Sequence, residues 1–459
     1  MQLIKINIAQ EIISQGLQNG ADFVEVFVER TQTEGVVFKN SRPEDTQSGT
    51  IFGIGIRLIH GEQALYGYTN STEREELLRI TKLLGARIGK PGKETSLNFE
   101  TLKYPKIPII KDLEVDVKHK LAHLKKIDDV LRSDARTAQV ILNFSKKKQI
   151  IEIYNSEGLF ATEERPYIRL FHHLVMKDGQ LQSEASHGPG AIGGWDYIEK
   201  QPFEEVCQTL LKQASTTLYA APCPPGKMPV IIDNGFGGVI FHEACGHLLE
   251  TTAVEKKASA FWDKMGEQIA HSALTALDDG TVPGAWGSLS IDDEGMPTQK
   301  TTLIENGVLK RFICDRMGEI KTGHKRTGSG RRQSYRFAPA SRMRNTYIDK
   351  GNYELDDLIA SVPDGLYAKK MGGGSVDPST GQFNFAVQEA YLIKDGKIST
   401  PVRGATLIGS GPEVMAKISM VGKNLLMMAG MCGSVSGSIP TTVGQPPIKV
   451  DEILVGGQV

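Results

Sequence analysis

The sequence predicts an α+β fold: a strand-rich, two-domain chain with antiparallel or mixed sheets and flanking helices. The 459 residues include 49 glycines, which indicates many tight turns. Segments with alternating apolar residues recur along the chain, and helical apolar spacing is confined to a few stretches. A proline-rich stretch, Ala221–Pro229, is the best candidate for a linker. We therefore predict an N-terminal α+β domain at residues 1–225 and a C-terminal β-rich domain at residues 226–459.

The first half alternates helical and strand-like patterns. Each helix is predicted from apolar residues spaced three or four apart, and each strand from alternation. In order, these patterns predict a helix ending at Asn19-Gly20, strand Asp22–Arg30, a hairpin over Ile51–Tyr68, a helix introduced by a Thr72–Glu75 capping box, a helix over Asp112–Ser133, strands Ala138–Phe144, Ile150–Asn155 and Tyr167–Val175, and a helix over Phe203–Tyr219.

The second half begins with a predicted strand, Val230–Asp233, followed by a glycine turn and a helix. Further on, Leu303–Lys310 and Leu392–Ser399 are typical of hairpins that turn at Asn-Gly and Asp-Gly. The remaining sequence is rich in short alternating segments. This half therefore predicts a β-rich domain with a helix near its start.

Composition argues against several functional classes. Lys and Arg total 53 against 54 for Asp and Glu, so the overall charge does not favour nucleic acid or an anionic membrane as a partner. No apolar run approaches the roughly 18 residues of a membrane-spanning helix, and the N-terminus lacks the apolar stretch of a signal peptide. The five cysteines are scattered and odd in number, unlike a disulfide framework. These features predict a cytoplasmic protein.

The helix after the glycine turn carries the stretch FHEACGHLLE, residues 241–250. His242 and His247 are five residues apart, which places them about 140° apart on a regular helix. A local π-bulge around Ala244–Gly246 would return both imidazoles to one face. They would then supply two zinc ligands, with Glu243 as a nearby base. The alternative is a buried helix with two satisfied histidines.

A third ligand has to come from elsewhere in the chain. Cys245 could share a face with His242 but would compete with His247. The carboxylates of Asp292–Glu294 and Asp315 are more typical of turns. Cys432 lies between glycines in the stretch AGMCGSV, an unusual setting for a core cysteine. From the residues alone, the choice among these candidates stays open.

Several motifs together resemble the TldD branch of the TldD/PmbA family of metalloproteases. They are HEACGHLLE, the segment Gly330–Ile348 ending in PASRMRNTYI, the segment Thr380–Gly409, and the cysteine loop before VGQPP. The resemblance implies that His242, His247 and Cys432 bind Zn²⁺ and that Glu243 polarises the attacking water. It also implies cleavage of unfolded or leader peptides in a cleft. The other branch lacks the histidine motif, so this chain would be the active subunit of a heterodimer with a PmbA/TldE-like partner.

Candidate substrate-binding residues lie in the same family-like region. Arg336, Arg342 and Arg344 could hold a peptide backbone or a terminal carboxylate, and structural ion pairs are the alternative. Gly373, in the middle of Gly372–Gly374, would allow a peptide to approach closely, or simply form a loop. Two rival functions remain. One is a non-catalytic, zinc-stabilised peptide-binding module, and the other is a hydrolase with Cys432 as nucleophile.

Overall fold

The computed structural model describes residues 2–92, 97–377 and 380–457. A single β-sheet organises the first half of the chain, with helices packed against it. In chain order the elements are α1 (Ile6–Gln18), β1 (Phe23–Lys39), β2 (Arg42–His60), β3 (Gln63–Thr69), α2 (Arg74–Gly85), β4 (Glu100–Thr101), α3 (Val117–Leu131), β5 (Thr137–Asn155), β6 (Leu159–Asp178), β7 (Leu181–His187), β8 (Gly190–Ile192), α4 (Trp195–Glu199) and α5 (Phe203–Leu218).

The strand order of this sheet is β3-β2-β1-β5-β6-β4, and β7 and β8 also pair with β6. The long strands exceed the predicted ones. Ala138–Phe144 and Ile150–Asn155 belong to one strand, β5, because the polar residues between them are paired within the sheet. Lys146 and Gln149 in this stretch are buried, and each bonds to a carboxylate. Alternating apolarity alone could not reveal that continuity.

Helices cover the first sheet with apolar stripes. On α3, Leu124, Ile127 and Leu131 are fully buried and pack in one core with Leu210 of α5. This helix begins at Val117, later than predicted, because Asp116 caps it by accepting a hydrogen bond from the backbone of His119 at 2.7 Å. The Thr72–Glu75 capping box does not form, since α2 begins at Arg74 without a side-chain cap.

The second half contains shorter elements. In chain order they are β9 (Ala221–Pro222), β10 (Gly226–Ile232), a 3₁₀ turn (Gly235–Gly238), α6 (Val239–Ala244), a second 3₁₀ turn (Gly246–Leu249), α7 (Thr251–Val254), β11 (Ala276–Asp279), β12 (Lys300–Glu305), β13 (Val308–Leu309), α8 (Arg316–Thr322), β14 (Gly330–Arg331), β15 (Ala340–Ser341), β16 (Asn345–Ile348), α9 (Leu355–Ala360), β17 (Asp364–Val376), β18 (Gln382–Lys394), β19 (Lys397–Arg403), β20 (Thr406–Ser410), α10 (Gly411–Ala416), β21 (Ile418–Val421), β22 (Leu426–Ser434), β23 (Gly437–Gln445) and β24 (Ile448–Gly456).

Two larger sheets build the second half. The first has the order β17-β10-β24-β20-β18-β19-β9, and a further β17–β18 pairing closes five of its strands into a ring. The second has the order β13-β12-β11-β16-β23-β22, which leaves β22 at an edge. Pairing is mostly antiparallel, with parallel pairs such as β10–β17 and β16–β23. The predicted α+β class with antiparallel and mixed sheets is therefore confirmed.

The proline-rich stretch is not a free linker, because it supplies β9 and the start of β10 to the ring-containing sheet. The domain boundary between residues 225 and 226 stays a prediction. Buried ion pairs join the first sheet to the second half, including Arg165 of β6 with Asp293 at 2.5 Å. Among the helices of the described residues, none has the length and apolarity needed to cross a bilayer.

Candidate metal centre

The motif lies where strand β10 passes through the first 3₁₀ turn into α6. Gly238 in that turn packs so closely on Gly444 that a Cβ would lie 2.5 Å from its backbone. The helix then stops at Ala244, and Cys245 has φ −131° and ψ −47°. A 3₁₀ turn continues from Gly246. The predicted π-bulge is therefore wrong: the helix ends instead of widening, and this break brings the two imidazole centroids to 5.1 Å.

Close packing explains where the helix breaks. A Cβ on Gly246 would lie 2.2 Å from the sulfur of Met343, and a Cβ on Gly411 would lie 1.7 Å from the carbonyl oxygen of Ala244. Real Cβ atoms essentially never approach this closely, so a side chain at position 246 would force Met343 to shift, and one at position 411 would displace backbone. Met343 and Gly411, both distant in sequence, therefore pack directly against the motif.

Cys432 reaches the histidines from the hairpin formed by β22 and β23, where it pairs with Ile439. Its Sγ lies 3.3 Å from Nε2 of His247. One donor atom from each of His242, His247 and Cys432 lies within 4.8 Å of the others, and within the described parts of the chain this is the one such cluster. Cys245 is buried in the core and is not part of it. The structure therefore brings together the three predicted ligands.

The cluster favours a thiolate. Burial would raise the pKa of Cys432, but His242 and His247 outweigh it and lower that pKa to about 4. Burial would likewise lower the pKa of His247, but Glu250 and Cys432 raise it well above its usual value. The surroundings of Cys432 therefore favour the thiolate, which is the form that binds metals.

Glu250 supports His247 from the side away from the cysteine. Its Oε2 lies 3.0 Å from Nδ1 of His247, and the residue is only 3% exposed. Although burial would raise its pKa, the facing His247 and Arg342 lower it. A carboxylate at Nδ1 leaves Nε2 of the ring directed at the sulfur of Cys432.

Glu243 is the most accessible acidic group of the cluster. Its side chain is 24% exposed, and its Oε2 lies 3.6 Å from Nε2 of His247. The three donor residues, by contrast, are buried. A partly exposed carboxylate beside buried donors can contact both solvent and a bound ligand.

The donor set fits a zinc ion. Two imidazoles and a thiolate are ligands that zinc prefers, and donors around a tetrahedral zinc lie about 3–4 Å apart, close to the separations found here. Nδ1 of His242 is buried without a hydrogen-bond partner among the described residues. Such an atom is costly unless an ion or a water satisfies it.

The predicted substrate-binding residues have different surroundings. Arg336 is exposed, with its Nε 3.3 Å from the hydroxyl of Tyr335. Gly373 is exposed on β17, with open space where a Cβ would lie. Arg344 is fully buried and donates to the carbonyl of Gly328 at 2.8 Å, which favours the structural alternative for this residue.

Sequence reasoning missed Glu250 and left the role of Arg342 open. Glu250 ends the quoted motif, and its position three residues after His247 was an available signal. Arg342 was considered for substrate, but it is fully buried and donates to the carbonyl of Cys432 at 2.6 Å. Nothing in the local sequence indicates that contact.

A buried imidazole–imidazole–thiolate cluster beside a partly exposed carboxylate defines a candidate metal-dependent hydrolase. The chain belongs to the PmbA/TldD family of metallopeptidases. It matches PmbA/TldA metallopeptidase domain 1 over residues 24–84, the central domain over 110–218, and the C-terminal domain over 225–457. The predicted resemblance is therefore confirmed.

Relatives in several organisms carry the metalloprotease name. The Metalloprotease TldD homolog of Haemophilus influenzae is 37% identical over 95% of this chain and 93% of its own length. The homolog of Buchnera aphidicola from Acyrthosiphon pisum is 35% identical over 95% and 93%. The Zinc metalloprotease TldD homolog of Saccharolobus solfataricus is 27% identical over 97% and 99%. These relatives identify the chain as a protease of the metallopeptidase type.

Solved structures share the fold at lower identity. A putative modulator of a DNA gyrase from Thermotoga maritima superposes with a TM-score of 0.81 at 20% identity, covering 98% of this chain and 99% of that one. TldE from Thermococcus kodakarensis gives a TM-score of 0.77 at 21% identity, covering 98% and 100%. At this identity the likeness establishes the fold alone.

Proposed function

We propose that the protein is a zinc-dependent peptidase in which His242, His247 and Cys432 hold the metal and Glu243 is the general base. The observation that carries this proposal is the convergence of the three donors within 4.8 Å beside the partly exposed Glu243. When bound, zinc supplies a Lewis acid that polarises the peptide carbonyl and acidifies water. Because a thiolate donates negative charge, we expect a milder Lewis acid than three histidines would give.

The chain's own residues account for the proton movements. Glu243 accepts a proton from the attacking water and then passes it to the nitrogen of the departing amine. Its position next to His247 places the carboxylate within reach of a substrate at the donor cluster. Glu250 keeps a proton of His247 on Nδ1, so that the lone pair of Nε2 is available to a metal ion.

The substrate we propose is an unfolded or leader peptide bound in a cleft. Exposed Arg336 and Gly373 are the candidate contacts that remain accessible. We further propose that a PmbA/TldE-like homologue is the partner of this chain. Apolar residues on the cysteine-bearing hairpin support a peptide or partner at this edge, since Met431 is 51% and Val435 is 67% exposed. A cytoplasmic location stays a prediction from the sequence.

The test of this proposal is Glu243→Gln, with zinc content and peptide cleavage measured on the same sample. We expect zinc to be retained and the turnover number to fall about 10²- to 10⁴-fold. The matched control is Glu255→Gln, which changes a carboxylate outside the donor cluster that contacts Lys321 at 3.0 Å. Full turnover in the Glu243 variant would refute the base assignment. Absence of cleavage in wild-type protein that holds zinc, alone and with the homologue, would favour the peptide-binding module.

One observation favours a second candidate, a cysteine hydrolase. Cys432, His247 and Glu250 form a thiol–imidazole–carboxylate row with separations of 3.3 and 3.0 Å. Against it, Cys432 is only 3% exposed, and the row gives no role to His242. A chelator separates the two functions: it abolishes activity that added zinc restores if the metal is required, and spares activity if the thiolate is the nucleophile.

A further inference from the structure

The donors of the metal centre come from two segments that are distant in sequence. His247 follows a broken helix, and Cys432 lies 185 residues later on an edge strand. The regular structure of neither segment fixes the distance between them. The centre therefore needs contacts that hold the histidine segment and the cysteine hairpin together.

Glu250 fixes the histidine side. Its Oε2 lies 3.0 Å from Nδ1 of His247, and its Oε1 accepts a hydrogen bond from the backbone of Met343 at 3.2 Å. The backbone around Glu250 is anchored as well, because Ile313 bonds to the residues on either side at 2.8 and 2.9 Å. The carboxylate thus cannot swing away without breaking several bonds.

Arg342 fixes the cysteine side. Its Nη2 donates to the carbonyl of Cys432 at 2.6 Å, and its Nη1 donates to Oγ of Ser436 and the carbonyl of Gly437 at 3.0 and 2.9 Å. These acceptors lie on both sides of the hairpin turn. A single planar guanidinium therefore clamps the loop in a way that a lysine cannot reproduce.

The two residues also meet each other. Nε of Arg342 lies 4.0 Å from Oε1 of Glu250, and both side chains are buried. The bond from Glu250 to the backbone of Met343 adds a second connection to the same segment. The contacts thus run without interruption from His247 through Glu250 and residues 342–343 to the backbone of Cys432.

We propose that Glu250 and Arg342 are positioning residues that assemble the metal centre, Glu250 by orienting His247 and Arg342 by holding the Cys432 hairpin against it. This inference rests on the proposed zinc site. Residues that orient metal ligands in this way change metal affinity about 10- to 100-fold when replaced. A purely structural ion pair would change the stability of the fold and leave the affinity of the folded protein for zinc unaltered.

The experiment measures zinc affinity of metal-stripped, full-length protein by competition with a chelating dye at fixed pH. The variants are Glu250→Gln, Glu250→Ala, Arg342→Lys and Arg342→Met. We expect affinity to fall about 10-fold in Glu250→Gln, which keeps an acceptor for the ring, and about 100-fold in Glu250→Ala. The zinc affinity of Arg342→Lys should also fall about 10- to 100-fold, because one ammonium cannot donate to all three acceptors.

The matched control is Glu152→Gln in the first sheet. Glu152 is also a buried carboxylate that accepts a backbone and a side-chain hydrogen bond, at 2.7 Å from Leu3 and 3.0 Å from Tyr154. The zinc affinity of the Glu152→Gln variant should equal that of the wild type. Circular dichroism shows which variants are folded. If Glu250→Ala or Arg342→Met does not fold, the conservative variants Glu250→Gln and Arg342→Lys still test the inference.

Cobalt(II) provides a second readout, because a thiolate ligand gives a characteristic charge-transfer absorption. We expect this band to persist in the Glu250 variants at weaker affinity, and to weaken in the Arg342 variants as the hairpin shifts. The inference would be overturned if folded Glu250→Gln and Arg342→Lys bound zinc as tightly as the wild type. It would also be overturned if Glu152→Gln lost as much zinc affinity as they do. If the wild type binds neither zinc nor cobalt, the proposed function itself fails.

Discussion

The chain buries two groups of ionisable side chains that differ in how completely their charges are paired. In the interface charge cluster, Arg57 contacts Glu25 at 2.7 Å and Glu294 at 2.8 Å, and Arg332 contacts the same Glu25 at 2.5 Å. The members are Glu25, Arg57, Glu163, Arg165, Asp293, Glu294 and Arg332, all buried. Each cation of this cluster faces a carboxylate, so the group is electrostatically closed.

The metal centre is open by comparison. The side chain of Glu243 is 24% exposed, whereas every member of the interface charge cluster is buried. Burial of charge alone therefore does not mark the functional site. The distinguishing features are ligand types that suit a metal and a carboxylate that can still reach a substrate. The closed cluster instead joins the first sheet to the second half.

The largest expected effect is the loss of the metal in Cys432→Ser. Because a hydroxyl is a poor replacement for a thiolate ligand, we expect zinc content and peptide cleavage to fall to background. The matched control is Cys207→Ser, which alters another buried thiol, on α5 in the first core. Zinc content is measured after purification without chelator. Full zinc occupancy in Cys432→Ser would remove the cysteine from the ligand set.

Substitutions in the interface charge cluster should lower the stability of the fold and leave metal binding unchanged. Arg57→Met leaves Glu25 and Glu294 buried with fewer partners, which should lower the free energy of unfolding by about 3–5 kcal/mol. Zinc affinity of the folded variant should not change. Urea denaturation measures the loss, and Arg79→Met is the control, since its pair with Glu76 is exposed and should contribute little to stability. A large loss of zinc affinity in Arg57→Met would contradict the separation of the two groups.

Sequence reasoning recovered the two groups unequally. The donors at 242, 247 and 432 were available because the motifs resemble a known family. Asp292, Asp293 and Glu294 were assigned to a turn, which the structure confirms, but the sequence did not indicate that this turn is buried. Asp293 and Glu294 are buried against Arg165 and Arg57, which come from strands far away in sequence. A local pattern contains no information about such partners.

The same limit applies to local geometry. The spacing of His242 and His247 correctly required a distortion, but its type depended on Met343 and Gly411 packing against the motif. Strand-rich architecture was predictable because alternation is a local property. The continuity of β5 through its polar middle depended on cross-strand partners and was not.

Two glycines give a smaller and more specific comparison. In Gly246→Ala the new methyl would meet the sulfur of Met343, so we expect weaker zinc binding and a loss of about 1–3 kcal/mol in the free energy of unfolding. Gly373→Ala adds the same methyl in open space on an exposed strand and should leave stability unchanged. Zinc competition and urea denaturation test the first variant. In the second, a raised KM with unchanged kcat would support peptide contact, and an unchanged KM would contradict it.

The smallest expected effect is a pH dependence at the edge of the closed cluster. Burial, followed by the nearby Glu294, raises the pKa of Asp315 to about 7. Since the unfolded value is about 4, the folded protein holds this proton more tightly. The stability contribution of Asp315 is therefore fully present below about pH 4, is lost progressively as the pH rises, and is absent above about pH 7.

Asp315→Asn removes that titration while keeping the oxygen that accepts from the backbone of Gly318 at 2.9 Å. The free energy of unfolding of the variant, relative to wild type, should rise between pH 5 and pH 7.5 and then level off. Asp116→Asn makes the same change at the exposed N-cap of α3 and is the control. Urea denaturation across this pH range measures both. A difference that shrinks as the pH rises would show that the charged form of Asp315 stabilises the interface, and the closed cluster would then extend to this residue.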